Sequence, residues 1–240
     1  MTGSSAVGST PLPASGRRSA EGFRLGNEIL AFRFVATLGE RRADPVERIA
    51  TPQQLRAWLI ANGLITDGLI ADGLAADGPA TDGLTADELG AEGLGGAEMP
   101  VSDALLRDAR ALREAIHRAG TAIASGGVPD PADEELLNRW TVRHRARLVL
   151  TGGQARWHLP EADPARAALA VVAVDAVATL GGHVDGVIKR CEQRTCGGLF
   201  VDTSRGRRRR WCSMATCGNK VKKANLKAAR DEAEAGEPAG

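Results

Sequence analysis

Four cysteines fall between positions 191 and 217, and the rest of the 240-residue chain has none. They read Cys191-x4-Cys196, then fifteen residues, then Cys212-x4-Cys217. Two pairs at this spacing can present four thiolates tetrahedrally to a metal ion. So short a segment cannot hold itself together by apolar burial and must take its folding energy from the metal. No basic start followed by an apolar stretch opens the chain, so a cytoplasmic location is expected. In that reducing compartment a cysteine cluster points to a metal before disulfides. Four thiolates suit Zn2+ and close its coordination sphere, leaving no position for a reactive water.

Charge separates this segment from the rest. Between Lys189 and Arg230 there are thirteen Lys or Arg against only Glu192 and Asp202, a net of +11. The whole chain carries +1, which leaves −10 elsewhere. A basic end on an acidic body suggests a polyanionic partner.

Within the segment, Gly197 to Asp202 alternates like a strand, residues 203–206 can turn, and Arg208 to Trp211 can return as a second strand. Phe200 and Trp211 would form a minimal core. A helix from Ser213 to Arg230 would open at the second cysteine pair, giving a treble-clef-like hairpin and helix.

Upstream, apolar residues from Asn27 to Thr37 suit a helix that ends before Gly39 and the polar stretch from Glu40 to Pro45. Thr51, Pro52 and Gln54 form a capping-box start for another. A five-residue repeat runs from Asn62-Gly63-Leu64 through Asp67-Gly68-Leu69 and decays near Glu92-Gly93-Leu94. One Leu per five residues offers little core, so it reads as an acidic loop that interrupts the domain without serving it, against a calcium-binding array or solenoid. Ser102 caps a helix whose Arg107, Arg110, Arg113 and Arg118 read as a solvated face. Another helix starts at Pro131, and two strands around Gly152-Gly153 make a small hairpin. The longest apolar stretch, Ala167 to Leu180, contains Asp175 and is too short to span a bilayer, so it reads as a core helix of a protein without membrane spans.

The expected fold is therefore a mainly α domain with a small β-hairpin at 21–182, interrupted at about 62–98 by the repeat. A treble-clef-like zinc finger follows at 183–230, with disordered tails at 1–20 and 231–240.

Two stretches carry a family resemblance. They are Cys191-x4-Cys196-Gly197-Gly198-Leu199-Phe200-Val201-Asp202-Thr203-Ser204 and Arg209-Arg210-Trp211-Cys212-Ser213-Met214-x-x-Cys217-Gly218-Asn219-Lys220. In them the chain resembles the CGNR zinc finger family. Lys220 stands where the signature ends in Arg, keeping the charge and losing the planar fork for bidentate contact. The resemblance implies a preceding ABATE domain, which the helical part resembles in divergent form, and a stress-induced transcription regulator.

Arg205, Arg207, Arg208, Arg209 and Arg210 are candidates for phosphate contact, with Lys220, Lys222, Lys223 and Lys227 on the helix beside them. Part of this charge can instead compensate the formal −2 of four thiolates around one Zn2+. Asn219 can pair with adenine or cap the helix, and Gly218 can bring backbone amides to a thiolate. His117, His144, His158 and His183 have no ligand spacing, and no nucleophile elbow or phosphate loop appears, so no enzyme is expected. DNA is the expected partner. Alternatives are an RNA-binding protein or a zinc-stabilised protein-interaction module. One finger reads few bases, so a homodimer or helper surface is expected, and the N-terminal domain can sense a ligand.

Overall fold

The computed structural model describes residues 22–65, 101–143, 146–151, 154–159 and 163–235. The expected tail at 1–20, positions 66–98 of the repeat and residues 236–240 lie outside these.

At the centre is α1 (Leu30–Val35), all six of whose residues are buried. A helix without a polar face belongs inside. Its first amides are satisfied from another helix: Ala31 N–H donates to Asp175 Oδ2 at 2.8 Å. The acid that interrupts the apolar run of α5 (Pro164–Leu180) thus caps α1. Burial pushes the Asp175 carboxyl up, against the lowering effect of the Ala31 amide bond. The helix is shorter than the expected stretch from Asn27 to Thr37 because both ends are turns. Asn27 Oδ1 accepts from Ile29 N–H at 3.1 Å, and the Thr37 hydroxyl donates to Phe34 O at 2.7 Å. Gly39 follows not as a stop but in β1 (Leu38–Gly39), which pairs antiparallel with β2 (Val46–Glu47).

The capping box at Thr51 and Gln54 forms and opens α2 (Pro52–Ala61), which buries Leu55, Trp58 and Leu59. Its stop corrects the reading of the repeat. Asn62 and Gly63, at φ +67°, turn the chain so that Leu64 N–H reaches Leu59 O at 3.0 Å. Leu64 and Ile65 are buried, and Asn62 accepts from the buried Arg33. The first repeat unit therefore serves the fold.

Ser102 caps α3 (Asp103–Ala124), accepting from Leu105 N–H at 3.1 Å. Its arginines are not simply a solvated face. Arg113 is buried and forks onto Glu47 at 2.7 and 2.8 Å, and Arg110 donates to Ile49 O. Burial disfavours the Glu47 carboxylate, but the Arg113 fork outweighs this and lowers its pKa. Arg118 instead pairs with Asp133 on α4 (Pro131–Arg143).

A hairpin of β3 (Arg147–Thr151) and β4 (Gln154–His158) precedes α5. The core gathers α1, α2, α3, α4 and α5, and no described helix is long and apolar enough to cross a membrane.

The same core takes in Leu199 and Val201 from the cysteine segment. Gly120 of α3 makes this possible: a Cβ there would lie 2.5 Å from Leu199 Cδ1. Helical and cysteine-bearing parts thus share one apolar interior.

Candidate metal centre and its basic surround

The first cysteine pair sits in a knuckle between two paired strands, β5 (Val187–Arg190) and β6 (Leu199–Asp202). Cys191 N–H bonds Gly198 O at 2.8 Å, and Cys196 N–H bonds Gln193 O at 3.1 Å, closing the turn. The finger is a hairpin plus helix, but the hairpin partner of β6 is β5, not the expected strand from Arg208 to Trp211. In that stretch the amides are taken by other groups. Arg208 N–H donates to Ser204 Oγ at 3.3 Å and Arg209 N–H to Asp202 Oδ2 at 3.0 Å, and just past the stretch Cys212 N–H donates to Cys191 Sγ at 3.5 Å. A ladder needs those donors.

The second pair lies at a helix start. Ser213 accepts from Thr216 N–H at 3.3 Å and caps a π-helical turn, Met214–Gly218, that runs into α6 (Asn219–Ala235). The cap expected of Asn219 thus belongs to Ser213, and Asn219 Nδ2 donates back to Ala215 O at 3.2 Å. α6 also continues past Arg230 into the expected tail, through residues rich in the strong helix former Ala.

The turn brings the four sulfurs together, all within 4.8 Å of one another. Cys196 and Cys212 Sγ are 3.6 Å apart, as are Cys212 and Cys217. Cys191, Cys196 and Cys217 are buried, and Cys212 is half-buried. Four cysteine sulfurs at this separation offer four ligands to one cation, and the cluster is a metal-ion site.

Two glycines fit around it. A Cβ on Gly198 would stand 3.2 Å from Cys196 Sγ and 3.6 Å from Cys212 Sγ, and its N–H donates to Cys196 Sγ at 3.4 Å. The role expected of Gly218, amide approach to a thiolate, falls to Gly198. Gly218 instead leaves room for side chains, since a Cβ there would lie 2.9 Å from Met214 Sδ and 3.1 Å from Trp211 Cδ1. Trp211 packs on the cysteine cluster, while Phe200 is fully buried on β6 with the Arg209 guanidinium 4.8 Å over its ring.

The helical part grips the knuckle through residues the sequence had not singled out. Arg41 and Arg42 N–H donate to Cys196 O and Thr195 O at 3.2 and 3.1 Å. His117 Nε2 meets Gly197 O at 3.0 Å, and Asn27 Nδ2 donates to Leu199 O at 2.9 Å. Glu40, at φ +50°, holds both Arg24 and Lys220 at 2.8 Å and accepts from the Thr195 hydroxyl. Burial disfavours its charge, but the bonds from Lys220, Thr195 and Arg24 outweigh that and lower its pKa to about 2. Arg24 also feels the thiolates of Cys196 and Cys217; with Glu40 they outweigh burial and raise its pKa. Charge compensation therefore comes partly from the N-terminal segment. The polar run Glu40-Arg41-Arg42, read as a helix stop, was the available signal.

The candidate basic residues divide into two sets. Arg207 Nη1 donates to Asp202 O, Arg209 to Trp211 O and Cys212 O, and Arg210 pairs with Glu192 at 2.5 Å over the Trp211 ring. Lys220 is held by Glu40. Asp202 anchors the loop: its buried carboxylate takes Lys189 at 2.7 Å and Ser204 Oγ at 2.6 Å, and these bonds hold its pKa far below the usual range. Among the described residues, the side chains of Arg205, Arg208, Lys222, Lys223, Lys227 and Arg230 make no ion pair or hydrogen bond, and all six are exposed.

Fold and site together define a helical domain with a four-cysteine metal finger built into its core. Residues 28–183 match the model of the ABATE family, described as "Putative stress-induced transcription regulator", and residues 188–230 match the CGNR zinc finger. The chain belongs to the ABATE family and carries a C-terminal CGNR zinc finger. No curated relative matches it.

Proposed function

We propose that the protein is a DNA-binding transcription regulator whose finger is organised by a structural Zn2+. Tetrahedral zinc with bonds of about 2.3 Å sets its sulfurs about 3.8 Å apart. The 3.6 Å separations of Cys212 from Cys196 and Cys217 fit that ion. A four-thiolate set leaves no place for a reacting water, so the ion shapes the surface and catalyses nothing.

The observation that carries the DNA reading is the unpaired basic set. Lys223, Lys227 and Arg230 recur at helical spacing along α6, whose 17 residues extend about 25 Å. Arg205 and Arg208 add charge from the loop after β6. Phosphate contact is assigned to these residues with Lys222, while Arg207, Arg209, Arg210 and Lys220 hold the finger in shape. Within the finger, Phe200 is buried and Trp211 lies under Arg210, so neither aromatic offers an open platform for single-stranded bases. A homodimer supplies the length of duplex that one finger cannot read, and the ABATE domain receives the signal. The test is binding to duplex DNA as a function of salt, in the zinc-loaded protein and after chelation. The reading predicts steep salt dependence that chelation abolishes.

A further inference from the structure

We infer that the metal centre is also an oxidation site, in which hydrogen peroxide joins Cys196 to Cys212 and expels the ion. The inference rests on the reading of the four cysteines as a zinc site.

A cavity of about 120 Å³ lies between the finger and the N-terminal segment, and its wall includes Arg24, Leu38, Cys196, Cys212, Ala215 and Thr216. Of the four sulfur-bearing residues it reaches only Cys196 and Cys212. Their sulfurs are 3.6 Å apart, and Cys212 is the least buried of the four. The volume suits a guest of a few heavy atoms. The Arg24 guanidinium borders the cavity, tied to Glu40 through Nη2 at 2.8 Å, so one wall is cationic and favours a small polar guest. Hydrogen peroxide has that size and chemistry; a bulky disulfide does not fit.

The step balances without another reagent. The Cys212 thiolate attacks one peroxide oxygen; an S–O bond forms, the O–O bond breaks, and hydroxide leaves, so sulfur loses two electrons and peroxide gains them. The Cys196 thiolate then attacks the sulfenic sulfur; an S–S bond forms, the S–O bond breaks, and a second hydroxide leaves. Two of four ligands are gone, the divalent ion departs, and Cys191 and Cys217 take protons from water. Because the ion ties the knuckle to the turn that opens α6, its loss releases the basic helix from the finger.

The experiment treats the zinc-loaded full chain with hydrogen peroxide, follows zinc with a chromogenic chelator, and maps disulfides after blocking free thiols. The expected result is one zinc released per chain, a Cys196–Cys212 disulfide, and Cys191 and Cys217 recovered as thiols. Ala215→Phe, at an exposed position on the cavity wall, should slow release at least fivefold with unchanged zinc content and unchanged helical circular dichroism. Zinc retained under peroxide, or a disulfide that omits either cysteine, overturns the inference. So does a folded Ala215→Phe protein that loses zinc as fast as the wild type. A chain that binds no zinc before oxidation overturns the zinc reading itself, a result distinct from zinc that is bound and resists peroxide.

Discussion

Glu40 and Lys220, 180 positions apart in the chain, meet at 2.8 Å and tie the turn after β1 to the start of α6. The same carboxylate binds Arg24, so one acid joins the N-terminal segment, the knuckle and the basic helix. Glu40→Gln should cost about 1–2 kcal/mol by thermal or urea unfolding, because the partly buried Arg24 loses its counter-charge while Lys220 remains in solvent. Lys220 is freed, so DNA affinity should hold or rise. A fall in affinity equal to that of a lysine deletion on α6 would mean Glu40 has another role.

Gly120→Ala sets two effects against each other. Alanine favours helix by about 1 kcal/mol, but its Cβ would fall 2.5 Å from Leu199 Cδ1. Overpacking costs about 1–3 kcal/mol, so the variant should be less stable. Combined with Leu199→Ala, which removes the clash, the loss should be smaller than the sum of the two single losses. Strict additivity in denaturant titrations would contradict the contact.

Gly198→Ala tests the metal site from outside its ligands. A methyl 3.2 Å from Cys196 Sγ must displace the sulfur or the loop. Competition with a chelator should show metal affinity lower by about tenfold or more, as for other groups that orient ligands. An unchanged affinity would show that the site yields freely.

Chelation should destabilise more than the finger. Leu199 and Val201 lie in the same core as Phe32, Leu112 and Leu169, so releasing β6 opens that core. Scanning calorimetry should record one transition for the loaded chain and a markedly lower melting temperature after chelation. Two independent transitions would mean separable units.

Much of this was legible in local sequence. The four-cysteine cluster, the capping box at Thr51 and Gln54 and the Ser102 cap all depend on neighbouring residues, which spacing records. The pairing of β5 with β6 escaped because Val187 to Arg190 lacks strict alternation, while the Arg208 to Trp211 stretch carries a strand pattern whose amides go elsewhere. Arg113 was read as solvated because its partner Glu47 is 66 positions away. Glu40, Arg24 and His117 were missed for the same reason: each acts through a partner that only tertiary folding supplies.

In the proposed function, a metal-built basic surface binds duplex DNA through Arg205, Arg208, Lys222, Lys223, Lys227 and Arg230. The direct measurement is the slope of log binding constant against log salt for the zinc-loaded wild type and for a variant with Lys223, Lys227 and Arg230 changed to Ala. The account predicts a steep negative slope that flattens by about 0.9 for each phosphate contact removed. A wild-type slope near zero, or a slope that the triple variant leaves unchanged, would contradict it.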